Sequence, residues 1–161
     1  MSDLESQLLA RRHFEQGYAH QQAGRLGYAL QAYRRSIAIF PTTESYTFLA
    51  WALSLLGRFA EAIEHCEVAI SLDPDFGNPY NDIGAYLIDL GRWPEASPWF
   101  ELALNAPRYE ARCYAHHNLG RVHEHFGRYA EALACYRAAL AEMPTYEGAQ
   151  RALFALLAAM N

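Results

Sequence analysis

Residues 116–125 read HHNLGRVHEH, four histidines in ten positions, a density that raises the question of a metal centre or a proton-transfer pair. The spacing answers against metal. On a helix His116 and His123 stand two turns apart, ~10 Å along the axis, too far to share one ion at ~2 Å bond length. His117 and His125 flank Arg121, whose charge would repel a cation, so these two are expected at most to make ligand binding pH-sensitive. Cys66, Cys113 and Cys135 are odd in number with no short pairing, which suits reduced thiols in a cytoplasmic protein. All 13 basic residues are arginine, so lysine Schiff-base chemistry and a phosphate-loop lysine are both excluded. No glycine-rich phosphate loop, HExxH, paired CxxC or serine nucleophile elbow occurs. Neither an enzymatic activity nor a cofactor or metal is expected.

The composition narrows the class further. The chain has 161 residues, 52% of them hydrophobic and 19% charged, enough for one domain with a sizeable core and too apolar for disorder. A net charge of -5 argues against a nucleic-acid partner, which requires a clustered basic surface. The start, MSDLESQLLARRH, lacks the basic-then-apolar order of a signal peptide, and the run Ala152 to Met160 is too short to span a bilayer. The expectation is a soluble cytoplasmic protein with neither nucleic-acid nor membrane partners.

What positions these residues is a phrase repeated four times: GRLGYAL from Gly24, GRFAEAI from Gly57, GRWPEAS from Gly91 and GRYAEAL from Gly127, at spacings of 33, 34 and 36 residues. Such a period marks stacked supersecondary units. After each Gly-Arg runs an amphipathic helical pattern, as in Phe59, Ala62, Ile63, Cys66, Ala69 and Ile70, and a proline stops it at Pro41, Pro74, Pro107 and Pro144. Before each Gly-Arg lies another helix, such as that beginning at Pro79 with Asn78 as its expected cap. Small residues at Ala62, Ala96 and Ala132 allow close helix approach, with bulkier residues four positions later filling the space beside them. Pro98 predicts an irregular or late first turn in its helix, and the longer link after Pro107 is the expected place for a shift in superhelical angle.

These residues resemble the tetratricopeptide repeat over nearly the whole chain. The third unit supplies Tyr80, Ile83, Gly84, Leu87, Gly91, Trp93, Ala96, Phe100, Ala103 and Pro107; the fourth supplies His116, Leu119, Gly120, His123, Gly127, Tyr129, Ala132, Tyr136, Ala139 and Pro144. His13 and His20 take the corresponding packing positions in the first unit. The resemblance implies an all-α right-handed solenoid forming a single domain, with repeats over about 10–42, 43–76, 77–110 and 111–144 and a capping helix over about 145–160.

It also implies a protein-interaction scaffold whose first helices line a concave groove for a protein or peptide partner. Carried across, that face holds Phe14, Tyr18, Phe48 and Trp51 in an aromatic half, then Asn81, Asp82, Asp89, His117, Asn118, Arg121, Glu124 and His125 in a polar half. The four aromatics either form a binding patch or simply pack on one another or on the N-terminal segment. Phe14 and Tyr18 stand where a carboxylate-clamping subset of the family has basic and amide residues, so that clamp is not expected. Arg25, Arg58, Arg92 and Arg128 should form a row along one edge, read either as solvated turn residues or as an anion-binding ridge. The last helix, ALFALLAAM, carries no charge. Either its alanines make up the exposed side, or Phe154, Leu157 and Met160 form an apolar strip for a homodimer, the alternative function.

Overall fold

Gly24, Gly57, Gly91 and Gly127 all adopt φ between 73° and 76°, the left-handed region that only glycine enters without strain. The arginine after each donates its N–H to a carbonyl five residues back: Arg25 to His20 at 2.9 Å, Arg58 to Leu53 at 3.0 Å, Arg92 to Leu87 and Arg128 to His123 at 2.8 Å. Each glycine N–H meanwhile bonds the carbonyl three residues before it. Paired bonds of this kind close a helix with a sharp reversal. The repeated phrase therefore makes the same turn four times.

In the computed structural model, which describes residues 1–161, these turns join α1 (Asp3–Gln22) to α2 (Leu26–Ile39), α3 (Thr43–Leu55) to α4 (Phe59–Leu72), α5 (Asn78–Asp89) to α6 (Trp93–Asn105) and α7 (Arg112–His125) to α8 (Tyr129–Glu142). A ninth helix, α9 (Glu147–Met160), follows. The result is an all-α repeat solenoid; the nearest thing to a strand is one isolated bridge between Phe76 and Arg108. Each helix packs on the next along the chain, and α1, α3, α5 and α7 also touch one another in sequence. That closer inner layer makes theirs the concave side.

The core is one cluster running from Ala29 to Val122, extended at the C-terminal end by a smaller one in which Leu156 of α9 joins Ala132, Leu133 and Tyr136. Ala62, Ala96 and Ala132 are fully buried. The rings four positions later seat on small residues of the inner helices. A Cβ at Gly17 or Gly84 would stand 2.6 or 2.5 Å from Tyr33 or Phe100, and Gly120 meets Tyr136 likewise. In the second repeat the corresponding residues are Ala50 and Cys66, a larger inner residue opposite a smaller outer one. A methyl group on the inner helix thus accompanies the loss of the ring on the outer one.

Several local expectations change. α1 starts at Asp3, well before residue 10, because Ser2 and Glu5 form a reciprocal capping box. The cap of α5 is Gly77 rather than Asn78. Gly77 donates to the Arg108 carbonyl at 2.9 Å and Arg108 donates back to the Asp75 carbonyl at 3.0 Å. The longer link after Pro107 is therefore pinned to the preceding interrepeat link, and Arg108 adds a 2.6 Å ion pair to Asp73. α6 begins on time despite Pro98, but its first turn is tightened. Glu95 N–H reaches the Arg92 carbonyl three residues back, where α2, α4 and α8 each make a four-residue bond from alanine to arginine.

Candidate functional site

The aromatic half of the inner face is a connected set of rings. Phe48 on α3 is the hub, edge-on to Phe14 at 5.0 Å, to Tyr18 at 5.8 Å and to Trp51 at 5.8 Å between centroids. The four rings pack on one another without all being covered. Phe14 and Phe48 are half-buried against the core, while Tyr18 and Trp51 remain 44% and 38% exposed. Phe14 also lines a cleft of about 600 Å³ between α1 and the start of α3.

The polar half is built from hydrogen bonds. Asn118 Nδ2 on α7 donates to Asn81 Oδ1 on α5 at 3.1 Å, and Arg121 donates to Asn118 Oδ1 at 3.1 Å. Both asparagines are only 8% exposed. Trp93, which the sequence assigns to scaffold alone, stacks on His125 with centroids 4.1 Å apart and planes within 7°, and the Arg121 guanidinium lies 5.8 Å from the Trp93 ring centre. Arg121, Glu124, His125 and Trp93 line a shallow depression of about 280 Å³. The turn of one repeat brings its tryptophan against the inner helix of the next, a juxtaposition invisible to single-helix periodicity.

Three more residues of the expected row have distinct surroundings. Asp82 is half-buried beside Asn81, whose Nδ2 donates to its Oδ1 at 3.5 Å, and burial pushes the Asp82 carboxyl up to about 7. Asp89 is exposed at the end of α5. His117 bonds the Tyr146 hydroxyl at 3.0 Å, and burial, with Arg121 beside it, lowers it to about 4. It stays neutral at physiological pH and cannot serve as the expected switch. The histidines serve separate contacts, and no three His, Cys, Asp or Glu side chains gather as metal ligands. His13 and His123 each bury an unpartnered Nδ1 in the packing.

The arginine row is uneven. Arg58 and Arg92 pair with Glu61 and Glu95 three residues on. Arg25 donates to His20 Nδ1 at 3.1 Å, and Arg128 lies over the Phe126 ring at 5.2 Å. On α9, Leu157 packs towards the α8 cluster and leaves the expected strip, while Phe154 is 66% exposed beside exposed Ala155, Ala158, Ala159 and Met160. No helix is long and apolar enough to cross a membrane.

Comparison with known proteins supports the repeat reading. Family models described as tetratricopeptide repeat match residues 43–76 and 75–141. Small glutamine-rich tetratricopeptide repeat-containing protein 2 of Mycosarcoma maydis is 35% identical over 71 residues, covering 44% of this chain; the chain spans 20% of that relative's length. The pilF structure from Pseudomonas aeruginosa superposes with TM-score 0.88 at 20% identity, covering 97% of this chain and 71% of that one. YrrB, described as a TPR protein with an unusual peptide-binding site, superposes with TM-score 0.69 at 17% identity over 89% of this chain and 73% of that one. At these identities the structural likeness is one of fold.

Proposed function

From a chain that belongs to the tetratricopeptide repeat family, a fold that serves as a protein-interaction scaffold, we propose a non-enzymatic cytoplasmic adaptor that holds an extended partner segment in the groove of α1, α3, α5 and α7. The observation that carries this reading is the exposed edge of the ring cluster, Tyr18 and Trp51, aligned on one face with the Asn81–Asn118–Arg121 row. Rings seated on a rigid hub bind apolar side chains at little entropic cost. Amide and guanidinium groups on the same face satisfy the carbonyls of an extended backbone. The partner segment thus carries a bulky apolar residue towards α1 and α3 and hydrogen-bonding backbone or polar groups towards α7.

A peptide selected from a random display library against the intact protein tests this. Trp51→Ala should weaken its binding at least tenfold while helical content and thermal midpoint stay near wild type, because an anchor on a rigid scaffold acts locally. Unchanged affinity would overturn the groove reading.

A second reading, homodimerisation through α9, has its own observation. Phe154 takes the register position held by Gly17, Ala50, Gly84 and Gly120 in the inner helices, yet it is exposed. A ring placed there leaves no seat for the ring of a following outer helix, so the end is shaped for a flatter apolar partner such as a second copy. Light scattering at high micromolar concentration decides it: a monomer there removes α9 as an interface.

A further inference from the structure

A depression of about 950 Å³ lies outside the groove, on the outer face of α2. It is lined by Arg25, Tyr28, Gln31, Arg34 and Arg35. Charge is distributed unevenly along the chain: the first forty residues hold five arginines against three carboxylates, the remainder eight against fifteen. The reversal is local to equivalent positions. The residue after the core position held by Tyr33, Cys66 and Phe100 is Arg34 in α2, Glu67 in α4 and Glu101 in α6. Five residues before that core position stand Tyr28, Glu61 and Glu95. The same outer surface is therefore basic and aromatic on α2 and acidic on α4 and α6, while α8 carries Glu131 and Arg137 at these positions.

No carboxylate comes within 4.0 Å of Arg25, Arg34 or Arg35, whereas Arg58 and Arg92 on the same edge each hold one. One end of the stripe is held in place: Arg25 Nε donates to His20 Nδ1, and the His20 ring lies 5.4 Å from that of Tyr28. Free planar guanidiniums favour bidentate contacts to carboxylates. We propose that this outer face of α2 is a second docking site, separate from the groove, for an acidic segment of a partner protein. Arg25 and Arg35 lie ~15 Å apart along the helix, the span of four to five extended residues at ~3.3–3.6 Å each. The segment therefore presents carboxylates about that far apart, with Tyr28 under the chain between them. A peptide fits better than an anionic membrane, because the stripe is narrow and the acidic outer face of α4 lies beside it; Arg34 is close enough to Glu61 to lower its pKa. A broad anionic plane would meet both helices, while a single chain follows the basic one.

The test uses the full chain and a fluorescein-labelled peptide of alternating glutamate and glycine. Fluorescence anisotropy at low salt should show saturable binding that weakens more than tenfold when salt is raised from about 50 to 300 mM. Arg34→Glu combined with Arg35→Glu should abolish it with an unchanged circular dichroism spectrum. Arg137→Glu, at the equivalent position of α8, and Trp51→Ala in the groove should leave it intact, which separates this site from the groove reading. Absence of saturable binding, or equal binding by the doubly reversed variant, would overturn the proposal. Three further results would also overturn it: stronger binding to phosphatidylserine vesicles, displacement by equimolar inorganic phosphate, or a dimer dissolved by the double reversal. Each assigns the face to another occupant.

Discussion

The two halves of the groove rest on one backbone register and are held by different forces. In the N-terminal half, rings pack on a ring: Phe48 touches Phe14, Tyr18, Tyr33 and Trp51. In the C-terminal half, buried amides pair across helices and Arg121 caps the chain of bonds. The first arrangement loses area and packing when a member is removed; the second leaves a polar group buried without its partner. A repeat fold therefore fixes where side chains stand and leaves open which physics joins them.

The largest effect should come from the hub. Phe48→Ala removes the ring that four others share and is expected to cost about 2–4 kcal/mol in chemical denaturation. A loss well under 1 kcal/mol would show that the aromatic half is a loose surface collection and not a unit. On the other side, Asn118→Ala strands the Asn81 carbonyl oxygen and removes the acceptor of Arg121, at about 1–3 kcal/mol. Replacing Asn81 and Asn118 together by alanine should cost less than the two single losses summed, since neither buried group is then left alone. Strict additivity would deny that they act as a pair.

Acidity sharpens the contrast within the polar region. Asp82 is raised from its ordinary 3.8 to about 7, so its protonated form favours the folded state below 3.8 and that contribution is lost as pH rises through 7. His117, lowered from 6.5 to about 4, acts oppositely: its contribution is present above 6.5 and lost as pH falls through 4. The stability gain of Asp82→Asn over wild type should therefore grow between pH 4 and pH 8. Denaturation midpoints whose difference is the same at both ends would show that the Asp82 carboxyl is well solvated. The smallest effect is expected at Arg58→Ala, whose ion pair with Glu61 is exposed on both sides; its midpoint should match wild type within error.

Much of this was legible beforehand. Four glycines demanded one turn geometry, and the size pattern of Gly84 with Phe100 and Gly120 with Tyr136 specified how outer rings seat on inner helices. The start of α1 was also readable, since Ser2 and Glu5 spell a capping box. Other features depend on contacts between repeats that one helix's period cannot express. Trp93 reaches His125 across the repeat boundary, Arg108 pins two links together, and Asn118 reaches Asn81 across two inner helices. The sequence groups His117 and His125 as two histidines on one helix that could make ligand binding pH-sensitive. Burial and a Tyr146 bond separate the first from solvent, while the second lies flat on the half-buried Trp93 ring.

The central claim is that partners lie along the inner helices, and amide chemical-shift mapping tests it most directly. The display-selected peptide is titrated into isotope-labelled full-length protein and the perturbed amides are located. The account predicts perturbations running through α1, α3, α5 and α7, strongest near Tyr18 and Trp51 and extending to Asn118 and Arg121, with that pattern lost in Trp51→Ala. Perturbations confined to α9, or to the outer helices α2, α4, α6 and α8, would contradict it.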